Sequence, residues 1–356
     1  MKQRLGMKLR TEQRLAILGR LRMADWIEMP ESEFSLEIQK LEKDPLFKKL
    51  AFGSSSAPGA ILRQRWPRGT LTSGFYEINE QILAKGDRVH VEEKLDKQAH
   101  LLPLIRKMGR PDFERYFVHA EEAVPLEEIA RRTGLKLEDV QAIHELLLDI
   151  GAETEFYLPE RDPNMKRSFS CLARIQLSEG QPRFEFFSPY WARGLYQIRY
   201  DTLEEWKHGD RLSGAERKRL RHLIKRIETI NLRQNTLFRV MESITQLQAQ
   251  HLQSRSPLDL RPISLRMLAH RLQLAPSTVS RAISHRSIVL PWGKEAPLSA
   301  LLPGQRRVVR EVLARWLEQG TSESDSQLAE RLALERGIRI SRRTVNAVRN
   351  EIRKQR

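Results

Sequence analysis

The sequence predicts a mainly α, multidomain helical protein with two helix-turn-helix units and at most a small β hairpin. Three observations carry that expectation. Apolar residues recur at helical spacing over most of the chain, two separate segments read as helix, short turn and helix, and strand character is confined to Phe169–Phe187.

Taken in order, Met1–Leu50 reads as helical with mixed charge. Gly53–Gly59 and Arg63–Gly69 are rich in Gly, Ser, Pro and Arg, which predicts a flexible linker over residues 51–75. Residues 76–200 form the next domain. Within it Pro125–Gly134 followed by Leu135–Leu147 predicts helix, glycine turn, helix, and Asp162-Pro-Asn and Ser188-Pro bracket the strand stretch as turns. Ser213 to about Gln253 predicts a long helix, with Leu220, Leu223, Ile227, Ile230, Leu237, Val240 and Ile244 on its apolar side, suited to organising a bundle.

That helix and a central helix pair make up residues 201–302. The pair is Ser264–Leu272, the turn Gln273-Leu-Ala275, and Pro276–Ser284 with proline in the first turn, where a missing N–H is tolerated. Val279, Ala282 and Ile283 face inward, so Ser277, Arg281 and Ser284 point the other way. Residues 303–356 hold the second pair. Asp325–Arg336 is closed by Gly337, and Ser341 is the expected N-cap of a helix running to Lys354. In that helix Val345, Val348 and Ile352 recur at i, i+3 and i+7 and make one apolar stripe. Arg343, Asn346, Ala347 and Asn350 fall on the opposite face, with Arg342 and Arg349 on the flank.

The charge pattern then points to a partner. The last twenty residues carry Arg339, Arg342, Arg343, Arg349, Arg353, Lys354 and Arg356 against the single acid Glu351, and the whole chain of 356 residues has a net charge of +16. A polyanion, and by default nucleic acid, is the partner such a balance predicts. Arg and Asn pair bidentately with guanine and adenine edges in a major groove. The residues expected to contact DNA are therefore Arg342, Arg343, Thr344, Asn346 and Arg349 in the last helix and Ser277, Thr278 and Arg281 in the central unit.

Other classes are disfavoured. No apolar run approaches the ~20 residues that span a bilayer, and Met1–Arg10 has no signal-peptide core. Cys171 is the lone cysteine, so neither an intrachain disulfide nor a cysteine-cluster metal site is possible. A cytoplasmic protein without cofactor or metal is expected. The chain contains no Gly-x-x-x-x-Gly-Lys and no His-Glu-x-x-His, and its nine histidines are scattered, so no catalytic role is expected.

At this point the residues carry a resemblance. Leu265–Arg281 with Ile288–Gly293 is similar to the central DNA-binding segment of the sigma-54 (sigma-N) family of bacterial RNA polymerase factors. Ser341-Arg-Arg-Thr-Val-Asn-Ala-Val-Arg-Asn350 resembles that family's signature box, Ala-Arg-Arg-Thr-Val-Ala-Lys-Tyr-Arg-Glu. Arg342, Arg343, Thr344, Val345 and Arg349 match, while Ala347 and Val348 stand in place of lysine and tyrosine. Ser32–Phe47, which contains Asp44-Pro-Leu-Phe, is similar to the end of the family's activator-responsive first region.

The resemblance implies recognition of minus-24 and minus-12 promoter DNA, with the box helix in the major groove at minus-24 and Arg281 near minus-12. It also implies binding of core RNA polymerase, with Pro125–Leu147 inside the core-binding domain, where ordinary helix packing is an equally good reading of those residues, and dependence on a separate ATP-hydrolysing activator that remodels residues 1–50. Several stretches depart from the family. The first region is poor in glutamine, the linker is basic rather than acidic, the core-binding part is shortened after Leu148-Asp-Ile-Gly151, and Ala296–Leu302 lacks the family's aromatics. A repressor that occupies the same elements without productive polymerase binding is therefore the alternative reading.

Overall fold

The computed structural model describes residues 23–53, 59–71, 101–119, 124–152, 169–178, 181–209 and 211–355. The chain divides into two compact units, Met1–Ile175 with Arg183–Leu237, and Gln176–Pro182 with Phe238–Arg356. Residues 1–22, the Ser-rich 54–58, residues 72–100 and the expected Asp162-Pro-Asn turn lie outside the described residues.

The first unit begins with α1 (Glu31–Glu42) and α2 (Pro45–Phe52). The Asp44-Pro45 pair starts α2 for a local reason: the Asp44 carboxylate accepts from the Leu46 N–H at 2.8 Å, and proline at the first helical position gives up an N–H that the helix would leave unpaired. Phe34, Ile38, Leu41, Leu46, Phe47 and Leu50 from these two helices form one buried cluster with Leu220, Leu223, Ile227 and Ile230 of α9. The apolar faces of these two helices are thus part of the core, held by burial worth ~1.5–3 kcal/mol per large side chain. Removing residues 1–50 would dismantle this unit rather than detach a free-standing region.

The stretch expected as linker also differs beyond residue 58. β1 (Ile61–Gln64) pairs antiparallel with β5 (Leu195–Ile198), and β2 (Gly69–Leu71) pairs parallel with β4 (Gln181–Phe186). Trp66 between them is buried and donates its indole N–H to the Trp191 carbonyl at 2.8 Å. Gly194, at φ +72°, lets β1 pass: a Cβ there would lie 2.0 Å from the Gln64 carbonyl oxygen.

The helices between these strands follow the expected order. α3 (Leu101–Met108), α4 (Arg110–Phe113) and a π-helical stretch Glu114–His119 precede α5 (Leu126–Thr133) and α6 (Leu137–Ala152), and Gly134 caps α5 in the left-handed conformation. β3 (Ser170–Ser178) and β4 are the one strand pair that the alternation predicts. α7 (Pro189–Ala192), α8 (Tyr200–His208) and the long α9 (Gly214–Leu247) complete the unit.

The second unit contains the end of α9, α10 (Ala249–Ser254), α11 (Leu265–Leu272), α12 (Pro276–Ile283), β6 (Arg286–Val289), β7 (Glu295–Pro297), α13 (Gln305–Glu318), α14 (Asp325–Arg336) and α15 (Arg342–Gln355). The helix expected to run to Gln253 breaks at Gln248, whose buried side chain donates to the carbonyls of Arg261 and Leu301 and accepts from the Arg261 N–H. Those bonds tie the turn to the following segment, which sequence periodicity does not register.

Strand content exceeds the single small hairpin expected from the sequence. Besides β3 and β4, β1 pairs with β5 and β2 with β4 in the first unit, and β6 pairs antiparallel with β7 in the second. β1, β2, β5, β6 and β7 span only three or four residues each, too few for a period of two to show.

Candidate nucleic-acid interface

The last three helices build the interface from their apolar stripes. Val308, Val309, Val312, Leu313 and Trp316 of α13, Leu328 and Leu332 of α14, and Val345, Val348 and Ile352 of α15 form one buried cluster. Val345 and Val348 are fully buried, so the orientation of α15 is set by the stripe that the sequence spacing predicts. α14 starts at a capping box, with the Ser324 hydroxyl accepting from the Gln327 N–H and the Gln327 side chain accepting in return from the Ser324 N–H. Gly337, at φ +65°, closes it and turns the chain toward α15.

With one face of α15 buried, its other residues face solvent. Arg342 and Arg343 in the first turn are exposed, and the charge of Arg342 is felt by Asp325 of α14. Thr344 is exposed as well, but its hydroxyl lies 3.0 Å from that of Ser341, which also accepts from the Thr344 N–H at 3.3 Å. Arg353 and Lys354 continue the cationic side into the last turn, where a helix C-terminus favours positive charge. Arg306 of α13 reaches across to Glu351.

Asn346 and Arg349 stand differently from the rest. Arg349 is directed into the helix pair, where its guanidinium donates to Asp325 at 3.0 Å and to the Glu323 carbonyl at 3.2 Å. Asn346 donates to the other Asp325 oxygen at 2.7 Å. These bonds, that from Asn346 first and then that from Arg349, hold the Asp325 carboxyl below the usual carboxylate range. The helical wheel places Arg349 on a flank but cannot show that an acid 24 residues earlier occupies it.

In the central pair α11 is capped by the Ser264 hydroxyl, which accepts from the Met267 N–H at 3.1 Å, and Gln273 turns the chain in the left-handed conformation at φ 56°. Val279, Ala282 and Ile283 are buried as the spacing predicts. Ser277 is exposed at the start of α12, while Thr278 and Arg281 are half-buried. A residue the sequence reading missed, the buried Arg286, donates to the carbonyls of Arg281 and Ala282 at 3.0 and 3.1 Å and so caps the end of α12. Its only sequence signal is an arginine just past a helix end.

Among the described residues no group of three His, Cys, Asp or Glu side chains could hold a metal ion, and no helix is long and apolar enough to cross a membrane. Cys171 is a buried free thiol.

A helical trio that buries one face of its last helix and presents the other as an arginine-rich surface defines a nucleic-acid-binding domain. Residues 214–355 match the family model of the sigma-54 DNA binding domain. That match covers residues 214–355 alone and says which domain this part of the chain resembles. No curated protein sequence matches the chain. The crystal structure of Aquifex aeolicus sigmaN bound to promoter DNA is similar at 17% sequence identity over 78% of this chain and 96% of that one, with a TM-score of 0.35.

Proposed function

We propose that this protein is a promoter-recognising transcription initiation factor that uses the α11–α12 and α14–α15 pairs as helix-turn-helix readers. In this reading α15 enters the major groove of a minus-24 element and α12 lies near minus-12, and the chain brings core RNA polymerase to both. The observation that carries it is the exposed Arg342-Arg343 pair in the first turn of a helix whose opposite face is locked into a core. The first turn of a recognition helix is where base edges are read.

Point variants test the reading by anisotropy titration. Arg343→Ala is expected to weaken binding to a duplex carrying GG and GC steps one helical turn apart by ~1–3 kcal/mol, with selectivity relaxed at the GG step. Arg353→Ala is expected to weaken binding to every duplex alike and to lower the salt slope by about one unit. Indistinguishable behaviour of the two variants would reduce α15 to an electrostatic patch.

Polymerase recruitment and response to an ATP-hydrolysing activator belong to the same proposal. The sequence similarity of Ser32–Phe47 to the activator-responsive region supports them, and the match that covers only residues 214–355 keeps the repressor reading as its competitor. Retention of core polymerase by the full-length chain, with transcription in the presence of activator and ATP, is the expected result. Displacement of an authentic sigma-54 from its promoter without any transcript would assign the protein as a repressor.

A further inference from the structure

Asp325 is an acid inside a cationic face. It is the first residue of α14, and each of its carboxylate oxygens takes a different donor from α15: Oδ1 accepts from Arg349 at 3.0 Å and Oδ2 from the Asn346 amide at 2.7 Å. The Asn346 carbonyl oxygen in turn accepts from the Asn350 amide at 3.1 Å. The result is a row, Asp325 to Asn346 to Asn350, running along the solvent side of α15. Asn346 and Asn350 stand where the family box has alanine and glutamate, so this row belongs to this chain's own variant of the box.

The row has two physical consequences. Arg349 is withdrawn: the side chains of Arg349 and Asp325 keep only 17% and 15% of their exposure, so the cation faces its carboxylate and the Glu323 carbonyl rather than solvent. The two asparagine amides are also held in one sense, because Asn346 must turn its NH2 to Asp325 and its oxygen to Asn350. Sequence-independent binding grows with every phosphate neutralised, whereas selectivity needs side chains held in one orientation against base edges.

We propose that Asp325 is a specificity-determining positioning residue, which withholds Arg349 from the DNA backbone and orders Asn346 and Asn350 on the groove-facing side of α15. The inference rests on the reading that α15 enters the groove. Arg343, and Arg342 whose charge Asp325 also feels, are then left as the cations of the first turn that engage DNA, and the acid lowers affinity for arbitrary duplex more than affinity for the correct site.

Salt titrations of the full-length chain against a duplex with GG and GC steps one helical turn apart, and against a scrambled duplex, test this. Asp325→Asn keeps the shape and removes the charge. It is expected to raise affinity for the scrambled duplex roughly threefold to tenfold, the size of one exposed charge interaction, and to steepen the salt slope by about one unit as Arg349 gains a phosphate. Discrimination between the duplexes should fall by a similar factor. In an Arg349→Ala background the same substitution should leave the slope unchanged. Weaker binding to both duplexes, or an unaltered slope with Arg349 present, would mean that Asp325 only joins the two helices and would overturn the proposal.

Asn346→Ala, at an exposed position, covers the case in which Asp325→Asn disturbs the fold. It should lower discrimination with the slope intact, and unchanged discrimination would remove the ordering role. Equal binding of both duplexes by the unsubstituted protein would instead count against promoter recognition itself, while the slope change at Asp325 would still be read.

Discussion

Arg233→Ala should destabilise the first unit by about 3–5 kcal/mol, the cost of leaving a buried carboxylate without its cation. Arg233 is completely buried; its guanidinium donates to Glu31 at 2.8 Å and to the carbonyls of Met29 and Trp26 at 2.8 and 2.7 Å, and lies 3.7 Å from the centre of the Phe34 ring. Truncation takes that cation from Glu31, to which the Trp191 indole also donates at 3.1 Å, and leaves two main-chain acceptors without their donor. The cluster that sets α15 contains no residue of α9, so binding to duplex DNA should survive. Urea unfolding followed by tryptophan fluorescence, alongside anisotropy titration, checks both halves. Glu31→Leu combined with Arg233→Met should restore most of the lost stability, because an apolar pair removes the stranded charge as well.

Acid should lower the stability of the same unit in two steps. Glu42 is buried against Arg63 and Arg193, with Arg193 donating at 2.8 Å and the Tyr196 hydroxyl at 2.7 Å. Burial alone would raise its pKa, but the two guanidiniums, Arg193 first, outweigh that and bring it down to about 2. His144, packed edge-on to Phe52 with ring centres 5.0 Å apart, is pushed down to about 4 by burial and then by the charge of Arg193.

Both groups bind protons more readily in the unfolded chain, so both make stability fall as pH falls. The His144 contribution is complete above its ordinary value of 6.5 and is lost toward about 4, and that of Glu42 is complete above 4.5 and is lost toward about 2. Each amounts to about 3 kcal/mol, from 1.36 kcal/mol for every unit of displacement. Stability measured from pH 7 downward should therefore decline first through the histidine range. His144→Leu should flatten that first stage and leave the second. A decline confined to pH below 4.5 in the unsubstituted protein would refute the histidine assignment.

Arg343, Asn346, Thr344 and Arg349 all have the chemistry of a groove-reading helix, and the sequence presents them as equals. In the structure they are not equal. Arg343 is exposed and has no hydrogen bond or ion pair among the described residues, Thr344 shares its hydroxyl with Ser341, and Asn346 and Arg349 are engaged by Asp325. The partner is 21 and 24 residues away in the chain, across a turn, and nothing in the spacing of acids and bases says which pairs will meet.

What the sequence by itself determined is what depends on neighbours within a helical turn or two: the cap at Ser341, the glycine closures at Gly134 and Gly337, and the Val345, Val348 and Ile352 stripe that aims α15. These signals are local because a helix bonds each residue to one four positions away. Only the tertiary structure decided that residues 61–64 and 69–71 are strand rather than linker, that the apolar faces of residues 31–52 are core, and that Glu42, Glu31 and Asp325 each capture particular arginines. β1 meets β5 some 130 residues later, and buried charges pair with whichever partner the packing brings within ~3 Å. Such interactions depend on distance in space, and a chain read residue by residue carries distance only along itself.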